Sequence, residues 1–169
     1  KQWLKKAIEI TDASIERLMG TINTSMTEKD VSWEIEQNMR TLGAEGIAFD
    51  LIVASGPNGA MAHHFPSETK IEKGVPIVID IGAKFNGYHA DLTRTFTIGN
   101  ADKQFNEIFD IVLTAQETAI ATYMHKMKKS IQEDLPVPYS IDNAFIDTLL
   151  IHLIKQSAAN GSNPINLGR

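Results

Sequence analysis

The chain has 169 residues, 43% of them apolar, a formal charge of −5 and no cysteine, which suits a single domain burying roughly 70% of its unfolded surface. The lysines are scattered, with short pairs at Lys5–Lys6 and Lys128–Lys129, so no basic stripe is available for a phosphate backbone and nucleic acid is not an expected partner. No apolar run approaches the roughly 18 residues needed to cross a bilayer, KQWLKKAIEI lacks a signal-peptide pattern, and no disulfide framework can form; a cytoplasmic protein with no membrane partner is expected.

Trp3, Leu4, Ala7, Ile8, Ile15, Leu18 and Met19 recur at helical spacing and predict an amphipathic helix over about 3–20. A second helix is predicted after TSMTEKDV. There Thr27 can cap, Asp30 sits in the first turn, Val31, Ile35, Met39 and Leu42 share a face, and Gly43 stops the helix. A strand is expected over 48–56 (AFDLIVASG), followed by a Gly/Pro/Asn-rich connection with two adjacent histidines, His63 and His64.

Residues 75–98 read as two strands joined at Phe85-Asn86-Gly87, since Asn-Gly between alternating apolar residues is a strong hairpin signal. A long helix is expected over about 102–126, with Phe105, Ile108, Phe109, Val112, Leu113, Ala119, Ile120 and Tyr123 inward. Pro136 and Pro138 interrupt, and Ser140 can cap a last helix, 141–156, on which His152 reads as a packed or surface residue rather than a ligand.

The run VPIVIDIGA is apolar except for Asp80, and a carboxylate out of water persists only if it is paired, strongly hydrogen-bonded or metal-bound. A two-residue turn at Asn86-Gly87 sets Asp80 opposite Thr93 and diagonal to Asp91, placing all three on one face with the carboxylates roughly 7 Å apart at Cβ. Two like charges so placed repel unless one keeps its proton or a divalent cation binds both. Hard oxygen donors suit Mn, Mg or Fe(II), and a histidine would widen the choice to Co or Zn. The competing reading is a pair of surface aspartates. Against it, Val75, Ile77, Ile79 and Ile81 occupy one face of the first strand while Val78 shares the other with Asp80, so neither face looks solvated. Arg94 points away from the pair by alternation and is expected at the surface or a subunit contact.

The run DIGAKFNGYHADLTRTF, with its aspartates eleven positions apart, resembles the metal-binding hairpin of the pita-bread metallopeptidases, which include Xaa-Pro aminopeptidases, prolidases, creatinases and methionine aminopeptidases. FDLIVASGPNGAMAHHFPSE is similar to the segment that carries an SG-N-A-PH-PS pattern in the proline-specific members. Ala62 stands where that pattern has proline. The resemblance implies an α+β pita-bread fold, an antiparallel sheet covered by helices. It also implies a dinuclear metallopeptidase in which Asp80 chelates one metal, Asp91 bridges both, and His63 hydrogen-bonds the substrate or the tetrahedral species. His64, one place beyond the pattern, and Thr93, beside the aspartates, are supporting or substrate-contact candidates.

Two divalent ions are implied, Mn or Co foremost, with Zn, Fe or Mg as alternatives. The implied substrate is a peptide with proline at its second position, and a homodimer is possible in such a family. The chain itself reads as a piece of a longer protein: a partial catalytic domain over 1–169, with 1–100 a first pseudo-repeat and 101–169 the start of a second. The first residue is Lys1 and NPINLGR resembles the approach to a further metal-binding histidine segment. On this reading the fragment binds metal weakly and is inactive alone. A non-catalytic pita-bread module that binds peptides or proteins is the competing function.

Overall fold

The computed structural model describes residues 2–134. The predictions at Pro136, Pro138, Ser140, the 141–156 helix, His152 and NPINLGR lie outside these residues. The chain divides into two units, Lys1–Ile108 and the residues from Phe109 on.

The first unit begins with α1 (Gln2–Thr21) and α2 (Glu28–Thr41). Thr27 caps α2 in a reciprocal box: its hydroxyl accepts from Asp30 N, and the Asp30 side chain accepts from Thr27 N. Val31, Ile35 and Met39 are buried along one face, and Gly43 leaves the helix at φ 101°. On α1 the buried stripe is Ala7, Ile10, Thr11, Ser14 and Leu18, turned from the expected face. Trp3, Leu4, Ile8 and Met19 are exposed. The small polar residues made the difference: Thr11 and Ser14 satisfy their hydroxyls on Ala7 O and Ile10 O within the helix and so can be buried.

The strands are β1 (Gly46–Ile47), β2 (Ile52–Ser55), β3 (Pro76–Ile81), β4 (Ala83–Phe85), β5 (Tyr88–His89) and β6 (Leu92–Thr97), with a short 3-10 helix at Gly56–Ala60 after β2. They form two antiparallel three-stranded sheets, in the orders β2-β3-β6 and β1-β4-β5. Asn86 (φ 49°) and Gly87 (φ 78°) make the tight turn, and the expected register holds, with Phe85 opposite Tyr88 and Asp80 opposite Thr93.

The hairpin is not two unbroken strands, however. Each arm passes from one sheet to the other, at Gly82 on the way out and at Ala90-Asp91 on the way back. A Cβ on Gly82 would lie 1.9 Å from Ala90 O and 2.9 Å from the Phe49 ring, so only glycine fits this crossing. The amide of Ala83, next to the crossing, donates to Thr11 Oγ1 of α1 at 2.9 Å.

The core joins Ile10 and Leu18 of α1, Val31, Ile35 and Met39 of α2, and Leu51, Val53, Ile71, Ile77, Ile79, Ile81 and Ala83 of the sheet segments. Along β3, Ile77, Ile79 and Ile81 are buried while Val78 and Asp80 are half-buried on the other face.

The third helix, α3 (Lys103–Glu133), is longer than expected and crosses into the second unit. Ile108, Phe109, Val112, Leu113, Ile120 and Tyr123, expected inward, are exposed. Periodicity marks an apolar stripe but specifies no partner for it.

Candidate metal and peptide site

Asp80 and Asp91 line one cavity of about 480 Å³ together with His63, His64, Asp50, Phe49, Ile52, Ala62 and Phe65. The strand pairing puts Asp80 there: its side chain leaves β3 on the face opposite Ile79 and Ile81. Asp91 reaches the same cavity because it sits where the returning arm changes sheets, just before β6. Thr93 Oγ1 donates to Asp80 Oδ1 at 2.9 Å. Its bond therefore goes to Asp80, across the strand pair, rather than to its chain neighbour Asp91. Arg94, the paired residue of Ile79, turns its Nη1 to Thr93 O at 2.9 Å. Among the described residues neither aspartate takes part in an ion pair.

The two histidines have different surroundings. His63 is exposed and its ring makes no hydrogen bond among the described residues. His64 is held: its Nε2 lies 2.7 Å from Glu28 Oε2, and its side chain is only 9% exposed. Glu28 was not singled out in the sequence, yet its side chain is fully buried at the start of α2. Oε1 accepts from Ser55 N at 2.7 Å and Asn58 Nδ2 at 2.9 Å. Oε2 meets His64 Nε2 and accepts from Ser67 N at 3.0 Å and Ser67 Oγ at 2.7 Å. Burial alone would raise the Glu28 pKa, but the hydrogen bonds from Asn58, Ser55, His64 and Ser67 outweigh it and hold the value at about 2. Its position in the first turn of α2 adds the favourable end of the helix dipole.

The hairpin aspartates and the histidine-bearing segment thus meet at one cavity. Residues 2–133 match Metallopeptidase family M24, and the chain belongs to that family. It is 35% identical over 150 residues to the Xaa-Pro dipeptidase of Pyrococcus furiosus, covering 86% of this chain and 43% of the relative. Among solved structures, the X-Pro aminopeptidase of Thermotoga maritima superposes with a TM-score of 0.67 at 43% identity, over 69% of this chain and 33% of that one. The prolidase of Pyrococcus furiosus gives 0.66 at 39%, over 69% and 34%, and aminopeptidase P of E. coli gives 0.68 at 33%, over 72% and 28%. These neighbours have the pita-bread fold, and the described residues form its N-terminal part. The chain thus matches less than half the length of each of these relatives.

A metallopeptidase family implies divalent metal ions. The donor chemistry here suits them in part: three hard carboxylates, Asp50, Asp80 and Asp91, line one cavity, and no Lys or Arg is among its described lining residues. No group of three or more His, Asp or Glu that could hold an ion occurs among the described residues, so Asp80 and Asp91 would make only a partial set of ligands.

Proposed function

We propose that the protein containing this chain is a dinuclear-metal-dependent peptidase that cleaves Xaa-Pro bonds. Asp80 and Asp91 would hold the ions, and we place the remaining donors outside residues 2–134. Bound there, divalent ions would acidify a water and polarise the scissile carbonyl. His63, exposed on the cavity wall and without a ring hydrogen bond among the described residues, would hydrogen-bond the substrate carbonyl as negative charge develops on it. Thr93 fixes one oxygen of Asp80 and so orients the carboxylate toward the cavity. Phe49, Ile52 and Phe65 supply apolar walls suited to a proline ring or an apolar side chain.

The observation that carries this reading is that Asp80 and Asp91, in no ion pair among the described residues, share a cavity with His63, whose ring has no hydrogen bond among those residues. The full-length protein, stripped with a chelator and reloaded with Mn(II) or Co(II), is expected to hydrolyse Xaa-Pro dipeptides or N-terminal Xaa-Pro bonds in preference to Xaa-Ala counterparts. Absence of both hydrolysis and stoichiometric ion binding would overturn it in favour of a non-catalytic peptide-binding module.

A further inference from the structure

The segment between β2 and Lys70 carries both histidines, and its regular structure is slight: the 3-10 turn at Gly56–Ala60, a bond from Met61 N to Asn58 O at 3.0 Å and a longer one from His64 N to Met61 O at 3.3 Å. Its main buried tie to the body of the fold is Glu28, beside an exposed ion pair between Lys29 and Glu68 at 2.7 Å. Five hydrogen bonds reach this one carboxylate from Ser55 at the start of the segment, Asn58 and His64 within it, and Ser67 near its end. The backbone of α2 adds Glu28 N to Thr69 O at 3.0 Å and Lys29 N to Ser67 O at 3.2 Å. The His63 ring itself has no hydrogen bond among the described residues, so its place on the cavity wall depends on its held neighbour.

We propose that Glu28 is a positioning residue: by gripping Ser55, Asn58, His64 and Ser67 at once, it sets the course of the 55–67 segment so that His63 faces the cavity of Asp80 and Asp91. For the role of His63 this rests on the peptidase reading above. A carboxylate suits the task because both oxygens only accept, whereas a carboxamide would turn its NH2 toward donors at one of the two positions. In Glu28→Gln size and shape are kept, but an NH2 at the Oε1 position faces the Ser55 and Asn58 donors and loses both bonds, and at the Oε2 position it faces the Ser67 amide and loses at least that one, while the Ser67 hydroxyl and His64 ring must reverse their roles.

In the full-length protein, Glu28→Gln should lower kcat by roughly tenfold to a hundredfold, the scale of a misplaced reacting group, with KM changed less than about threefold. The decisive comparison is with His63→Ala. If Glu28 acts through His63, the double variant should be no more than about twofold slower than His63→Ala alone. Ser67→Ala, which removes one donor, should show a smaller loss with the same non-additivity, and it carries the test should Glu28→Gln fail to fold. Thr27→Ala, which weakens the α2 cap without touching the segment, should leave kcat within about twofold. Additive losses, or a Glu28→Gln enzyme within about twofold of wild type, would overturn the proposal.

Hydrogen exchange measured by mass spectrometry gives an arm independent of activity. Amides of 55–67 should exchange about tenfold faster or more in Glu28→Gln, with β3 and β6 unchanged; unchanged exchange in the segment would also overturn it. A wild-type protein that hydrolyses no peptide would defeat the peptidase reading while leaving this arm to decide the role of Glu28.

Discussion

Glu28 and the Asp80–Asp91 pair present the same functional group on two sides of the histidine-bearing segment, and the fold treats them in opposite ways. Glu28 is fully buried and receives five hydrogen bonds. Asp91 is exposed and receives none among the described residues, and Asp80, half-buried, receives one from Thr93. A carboxylate whose lone pairs are all taken by protein donors is a structural anion, with no capacity left for a ligand. Carboxylates left with free lone pairs on a shared cavity retain that capacity. Burial alone would have ranked Glu28 as the site of chemistry; the satisfaction of its oxygens by protein donors argues for an architectural role, and leaves the more open pair as the proposed ion-binding groups.

The contrast can be broken most severely at the open pair. Asp91→Asn in the full-length protein should reduce peptidase activity by about a thousandfold and abolish calorimetric binding of at least one Mn(II), the scale expected when a metal's charge stabilisation is lost. Because Asp91 is exposed and bonded to nothing in the described fold, its thermal midpoint without metal should barely move. A large fall in the midpoint would place Asp91 among the structural groups. Glu28→Ala should behave in reverse, costing about 3 kcal/mol or more in denaturant unfolding, because the Ser55 and Ser67 amides and the His64 ring lose their partner in a largely buried site.

Acid should distinguish the two regions less drastically. The Glu28 pKa is lowered from 4.5 to about 2 in the folded protein, so its contribution is complete above about pH 4.5 and is lost as pH falls toward 2. It amounts to on the order of 2–3 kcal/mol. Unfolding measured across this window should show the slope in wild type and lose most of it in Glu28→Gln. Smallest of all, Thr93→Val should cost under about 1 kcal/mol of stability, since its bond to Asp80 is exposed. It should nevertheless weaken metal affinity or activity by about tenfold by releasing the Asp80 oxygen.

Much of the open pair was legible in the sequence because its determinants are local. Asn86-Gly87 dictates the turn, the turn dictates the register, and the period of two puts Asp80 and Thr93 on one face. The α2 cap was legible for the same reason, since Thr27 and Asp30 are three residues apart. Glu28 was not, because between Thr27 and Lys29 it reads as an ordinary exposed acid of a first helical turn. Its partners lie 27 to 39 positions away, and no local pattern announces them. The double crossing of the hairpin escaped notice as well. Gly82 inside a strand was a signal for close backbone approach, but the approaching groups, Ala90 O and Phe49, come from separate segments. On α1, counting only apolar residues hid Thr11 and Ser14, whose hydroxyls are quenched by the helix's own carbonyls.

The crossing at Gly82 also acts as a proofreader of strand alignment. Were the arms to shift by one residue, Ile81 or Ala83 would come to the place where a Cβ meets a backbone oxygen at 1.9 Å, so the misaligned hairpin is rejected on steric grounds alone. Such a shift is also the error that would send Asp80 and Thr93 to opposite faces. A residue with no side chain thereby guards the pairing on which the acidic cavity depends.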